Sequence, residues 1–226
     1  MKKYINNLKS SRRKFFRSLA TGAASIGLWA ASIPLVAKPK VEYQDASDPD
    51  AWFNKLKGKH KMVFDAVSAN DGYQVVYTYT FLTTNNKTGT PDNEMGAMIV
   101  LRSKAIALAM QDIAWSKYKL GKLFKIVDNI TNAAAERNIY WDPKEGEMPQ
   151  LGMSIKQLQI RGVMFCVCES ALTLTSGQYA KNKGLDPATV KNEWITALIP
   201  GVQLVPSGVW ALNRAQERGA SYCYAG

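Results

Sequence analysis

The sequence predicts an α/β fold: a three-layer sandwich in which a mainly parallel, five-stranded sheet lies between helices. Three observations lead there. Four apolar runs, MVFDAV (62–67), AMIVL (97–101), VMFCVC (163–168) and VQLV (202–205), are continuous rather than alternating, as strands buried on both faces require. Helical patterns separate these runs, which is the rhythm of βαβ units. A short closing run, SYCYA (221–225), supplies the fifth strand.

The elements follow in order. Residues 38–58 (KPKVEYQDASDPDAWFNKLKG) are polar and proline-punctuated and read as a leader on the surface of a single domain spanning 59–226. KMVFDAVS (61–68) is the first strand. The next stretch, 68–86, is rich in Val, Tyr and Thr, which favours strand. Its Tyr73, Val76, Tyr77, Thr80 and Phe81 nevertheless recur at helical spacing, with Ser68, Asn70 and Asp71 ahead of them as capping chemistry, so helix is the reading taken. NNKTGTPDN (85–93) is a loop, MGAMIVLR (95–102) the second strand, and SKAIALAMQDIAWSKY (103–118) a helix. The chain from about 120 to 150 lacks a clear period, and an excursion of that length within a compact domain is usually functional or an interface element. SIKQLQIRG (154–162) reads as a short helix, VMFCVC as the third strand, and ESALTLTSGQYAKNKG (169–184) as the helix after it. Asp186-Pro187 is a helix start. VQLVPS (202–207) is the fourth strand, and GVWALNRAQERG (208–219) a helix closed by Gly219.

The N-terminus reads as an address. A basic segment ending Ser11-Arg12-Arg13-Lys14-Phe15-Phe16 precedes an uncharged, Ala-rich run from Leu19 to Ala37. Such a basic-then-apolar order describes a secretory signal. The run is long enough to raise the alternative of an anchor, but its Ala, Gly and Ser content and Pro34 speak against a lasting span. Arg12, Arg13 and Phe15 resemble the twin-arginine export motif, a receptor-read signal that implies the twin-arginine translocation machinery as partner, a folded cargo and a periplasmic destination. Ala37 is a plausible last residue before cleavage. Removing 1–37 also changes the charge. The whole chain has 29 Lys+Arg against 18 Asp+Glu, a net +11; seven of the bases and none of the acids lie in 1–37, leaving +4. That is an ordinary solubility charge and gives little support to nucleic-acid binding.

The C-terminal third carries a resemblance. Gly162-Val163, Phe165, Val167-Cys168 and Leu172, then Pro200-Gly201-Val202-Gln203-Leu204-Val205-Pro206-Ser207-Gly208-Val209, then Leu212, Ala215-Gln216-Glu217, Gly219-Ala220 and Tyr222 resemble the DsrE/DsrF-like group of flavodoxin-like, sulfur-relay proteins. The similarity spans about 162–226, and over 61–118 only the strand–helix rhythm matches. It implies a five-stranded parallel sheet, assembly into homo-trimers or hexamers, and, for sulfur-carrying members, a working cysteine near the third strand. The signal and the 120–150 excursion fit an exported branch of that group.

The chain has three cysteines. Cys168 is expected where the third strand meets the next helix, at the carboxyl edge where open α/β sheets place ligand crevices. There the helix amides and dipole favour the thiolate, the nucleophilic form. The alternative is a buried thiol serving as packing. Cys166 shares a strand face with Cys168; two rises of roughly 3.3 Å separate their Cα atoms by about 6.6 Å, at the upper edge of disulfide geometry, so a bond between them would be strained and labile. Cys223 sits in the last strand, and the strand order implied by the resemblance keeps it from the other two. Metal binding has little behind it. His60 is the single histidine, there is no CxxC pair, and Met95, Met98, Met110, Met153 and Met164 suit a core. No cofactor is expected.

Further candidates for binding are Arg102, just past the second strand on the same edge, and the turn at Ser207-Gly208, whose amides suit an anion. Tyr140-Trp141, Trp115 and Trp194 suit a pocket wall or a core. GxSxG, Walker and GxGxxG patterns do not occur, which removes the hydrolase, NTPase and Rossmann readings. Two functions remain: an exported sulfur-carrier or thiol-redox protein acting through Cys168, with Cys166 assisting and a sulfur-donor or redox partner, or a non-catalytic oligomeric module binding a small ligand or partner.

Overall fold

A computed structural model describes residues 50–149 and 152–226. The expected export signal, with Arg12, Arg13 and Phe15, and most of the expected leader lie outside the described residues. Five strands form one sheet: β1 (His60–Ala66), β2 (Met95–Leu101), β3 (Met164–Cys168), β4 (Val202–Val205) and β5 (Ser221–Tyr224). Every adjacent pair is parallel, in the order β4-β3-β2-β1-β5. Among the described residues the α-helices are α1 (Tyr73–Lys87), α2 (Asp112–Tyr118), α3 (Leu120–Phe124), α4 (Ile155–Ile160), α5 (Glu169–Lys183), α6 (Pro187–Thr196) and α7 (Gly208–Glu217).

The period-2 geometry of strands splits the apolar runs between two cores. Phe64, Ile99, Leu101, Phe165 and Val167 face a large core built with α1, α2, α4, α5 and α6. Val63, Met98, Val100, Cys166 and Val205 face a smaller one, covered by Ala211, Leu212 and Ala215 of α7 and by Trp52, Phe53 and Leu56. Central β2 is buried at all seven positions because it has a strand on each side and helices above and below.

Capping chemistry sets several boundaries as read from the sequence. Ser154 Oγ accepts from Gln157 N at 3.1 Å to open α4, and Asp186 Oδ2 accepts from Thr189 N at 2.7 Å with Pro187 in the first turn of α6. Gly184 closes α5 with φ of 65°, a left-handed conformation that a glycine adopts freely.

Four expectations are corrected. The expected helix over 103–118 is broken: a 3₁₀ segment (Ser103–Ala109) and α2 flank Met110, which is extended and bridges Leu198. Gln111 donates its backbone N–H to Ala197 O and its side-chain amide to Leu198 O, so tertiary pairing overrides local helical preference. Helix α1 exists, but it buries Gln74, Val75, Thr78 and Leu82 and leaves Tyr73 and Tyr77 exposed, a face rotated from the apolar stripe. Thr78 tolerates this because its hydroxyl donates to Gln74 O at 2.7 Å. Its N-terminus is Gly72 in a left-handed conformation without a side-chain cap, while Asn70 is used elsewhere, donating to Ala225 O. The excursion carries α3 and is pinned by Asn138: its side-chain nitrogen donates to the carbonyls of Leu108 and Met110, both at 2.9 Å, and its backbone N–H to Asp112 Oδ1.

The fourth correction concerns the leader. Within its described part, Trp52 and Phe53 lie in a 3₁₀ turn (Ala51–Lys55) inside the smaller core, not on the surface. The Phe53 ring packs edge-on against Trp52 and Trp210, with centroids 5.1 and 5.2 Å away. Phe53→Ala is expected to lower the unfolding free energy in urea by about 3–5 kcal/mol, the cost of a large cavity; a surface leader would leave the transition unmoved.

Candidate functional site

The order β4-β3-β2-β1-β5 makes the chain reverse direction once. Helix α5 leaves β3 toward the larger core, whereas α7 leaves β4 toward the smaller one. Neighbouring strands that send their helices to opposite faces open a crevice at their carboxyl ends, the usual ligand position in open α/β sheets. Cys168, Ser170, Pro206 and Ser207 all lie at this split. Cys168 pairs in register with Val205, and Ser170 spans the gap by donating both its N–H (3.3 Å) and its hydroxyl (2.8 Å) to Pro206 O.

Cys168 stands where the sequence places it, as the residue preceding α5. Its Sγ accepts the Ala171 N–H at 3.3 Å, so sulfur takes the capping role usually held by a hydroxyl or carboxylate. Seven per cent of the residue is exposed. The carboxylate of the adjacent Glu169 is engaged by Lys191, accepting from its Nζ at 2.9 Å.

Cys166 is different. It is fully buried in the smaller core, and burial pushes its thiol well above the usual range, with the neighbouring Cys168 adding to the effect. The assisting role expected of Cys166 needs an accessible sulfur, and this environment withholds one. Cys223 lies on β5, three strands from β3, and packs against the opposite core; all three thiols are free. His60 opens β1 at the amino edge of the sheet, the far end from Cys168. Met95, Met98, Met110 and Met153 are buried among apolar side chains, and Met164 packs partly buried against the smaller core.

Arg102 lies on the same edge, but its charge is already engaged. Its Nε and Nη2 donate to Asp65 Oδ1 and Oδ2 at 2.6 and 2.8 Å, a planar two-point pair. The Tyr222 hydroxyl donates to the same carboxylate at 2.8 Å. Asp65 is buried and Arg102 is 28% exposed, and the carboxylate raises the guanidinium above its ordinary range. Three strands are thereby tied together at one edge. Gly208, the first residue of α7, rests on the Arg102 stem; a Cβ there would meet Arg102 Cβ at 2.7 Å, so the helix can approach only because this position is glycine. Ser207 precedes α7 in an extended conformation and makes no side-chain cap.

Asp65, Ser170 and the Ala171 amide carry no motif in the sequence, and Tyr222 enters there only among the residues of the resemblance. Asp65 had a readable signal: an acid inside an apolar strand demands a partner. Of the aromatic candidates, Trp115 and Trp194 fill the larger core, Tyr140 is buried in it and Trp141 packs partly buried against it.

No model of a known protein family matches the chain, and no curated protein is similar to it. Among solved structures, a protein of unknown function from Methanobacterium thermoautotrophicum is similar at 16% identity with a TM-score of 0.39, covering 74% of this chain and 99% of its own.

Two outcomes test this arrangement. Asp65→Ala leaves a half-buried guanidinium unpaired and is expected to cost about 2–4 kcal/mol in urea unfolding, against about 1 kcal/mol for Tyr222→Phe. Alkylation of the native protein followed by peptide mapping is expected to modify Cys223 and Cys168 while Cys166 stays intact until denaturant is added; early modification of Cys166 contradicts its burial.

Proposed function

We propose that this chain is an exported sulfur-carrier protein of the DsrE/DsrF-like type that acts through Cys168. The observation supporting this reading is the position of the Cys168 sulfur: at the split between β3 and β4, capping a fifteen-residue helix, with a backbone N–H aimed at it. Resemblance over 162–226 supports the family, and the Arg12-Arg13-x-Phe15 motif supports twin-arginine export to the periplasm. The same resemblance supports assembly into a homo-trimer or hexamer, and the thiol chemistry implies a sulfur-donor partner.

The reaction is a thiolate displacement. Cys168, as thiolate, attacks a sulfur atom of an inorganic polysulfide; a Cys168–S bond forms as one polysulfide S–S bond breaks, and the electron pair leaves on the shortened polysulfide anion. The Ala171 N–H holds the negative charge on Sγ before the attack; in the persulfide that charge has moved to the outer sulfur. Cys166, sealed in the smaller core, supplies packing, so the carrier works with one thiol.

The low exposure of Cys168 favours a second reading: a non-catalytic oligomeric module in which the thiol caps the helix and packs, and the edge holds a small ligand or partner.

Mass spectrometry after polysulfide exposure separates the two. The carrier gains one sulfur on Cys168 that dithiothreitol removes, Cys168→Ser gains none there, and Cys223→Ser behaves as the parent. A Cys168 that stays unmodified while Cys223 reacts would falsify the carrier reading and leave the binding module.

A further inference from the structure

A hollow of about 360 Å³ lies at the carboxyl edge on the face opposite α7. Three segments line it: Ser103 and Lys104 at the start of the 3₁₀ segment after β2, Leu123, Phe124 and Lys125 at the end of α3, and Ala171, Leu174 and Thr175 on the first two turns of α5. Its walls are of two kinds. Leu123, Phe124 and Leu174 offer an apolar surface, and Leu174 is left 75% exposed, a large apolar side chain kept in contact with water. Lys104 and Lys125 bring two ammonium groups, and neither makes an ion pair or side-chain hydrogen bond among the described residues. Ser103 and Thr175 add hydroxyls, and among the described residues the lining holds no carboxylate.

The fold holds the backbones that carry the two lysines in place, and the exposed ammonium groups are free to reach a ligand. Ser103 and Lys125 both adopt left-handed backbone conformations, with φ of 52° and 58°, at the points where the chain turns into and out of the rim. The backbone of Lys104 is tied down by its N–H donating to Val67 O at 2.9 Å. Two unmatched positive charges beside an apolar wall, in a hollow at the small end of the roughly 300–1,000 Å³ span of ligand sites, define a ligand class.

We propose that this hollow binds a small amphipathic organic anion: a carboxylate or sulfonate, held by Lys104 and Lys125, carrying an apolar body about the size of one or two fused rings that lies against Leu123, Phe124 and Leu174. An inorganic anion leaves the apolar wall wet, and a neutral hydrocarbon leaves the ammonium groups unmatched; only the combined ligand uses both. This site does not rest on the sulfur chemistry of Cys168.

The test is isothermal titration of the purified protein with naphthalene-1-sulfonate, alongside neutral 1-naphthalenemethanol and inorganic sulfate. One-to-one binding of the sulfonate is expected, weakening as salt rises because the charges are exposed. The Lys104→Met/Lys125→Met double variant is expected to lose about tenfold in affinity, the scale of two partly screened charge contacts. Leu174→Glu, which sets a carboxylate in the mouth of the hollow, is expected to lose at least as much. Lys122→Met, an exposed lysine of α3 that is not among the lining residues, should bind as the parent. Equal affinity for the neutral alcohol, unchanged affinity in the double variant, or no saturable binding at all would each overturn the proposal.

Discussion

A parallel sheet has two faces to hide, and among the described residues one of them has a single long helix available. The helices α1, α2, α4, α5 and α6 collect on the larger core, so α7 and the Trp52–Phe53 turn must close the other side. That constraint forces the chain to change faces once, between β4 and β5. The change of face produces the split beside Cys168: β3 and β4 stay paired along their length, and their continuations must then diverge. The strand end and helix start place Cys168 at the edge, and the change of face places that edge beside a crevice.

The edge so formed is stiff. Asp65 on β1, Arg102 just beyond β2 and Tyr222 on β5 converge on one carboxylate. Burying an acid costs several kcal/mol unless its partners are well placed, and here both oxygens are satisfied by a guanidinium and a phenol. The start of α7 then lies on the aliphatic stem of that arginine, at a distance only glycine allows. Beside this braced edge, Ser170 links the two diverging loops through Pro206, so the thiol sits in a framework with little slack.

Much of this was legible in the sequence where one effect dominated. Runs such as AMIVL and VMFCVC are buried on both faces and have no other reading; Ser154, Asp186-Pro187 and Gly184 act locally, so their meaning survives folding. Legibility failed where distant partners decided. Met110 leaves a helical pattern because Leu198 offers a bridge, and α1 turns its tyrosines outward because Thr78 can satisfy its own hydroxyl within the helix. Cys168 was placed by its position at a strand end, but the environment separating it from Cys166 was not visible, since two residues on one strand face differ only in how far each lies from the sheet edge. Arg102 and Asp65 each explain the other, but only the arginine stands out at a strand end; the acid is hidden inside an apolar run.

The segment 51–56 also has a bearing on maturation. Trp52, Phe53 and Leu56 are as much a part of the interior as any strand residue, and Arg214 and Arg218 of the α7 region reach back to Asp50 and Asn54. A peptidase acting near Ala37 would leave this plug untouched. Trimming beyond Asp50 would pull aromatic mass out of the thinner side of the sandwich and uncover the sheet, so the packing itself sets the innermost point to which the N-terminus can be shortened.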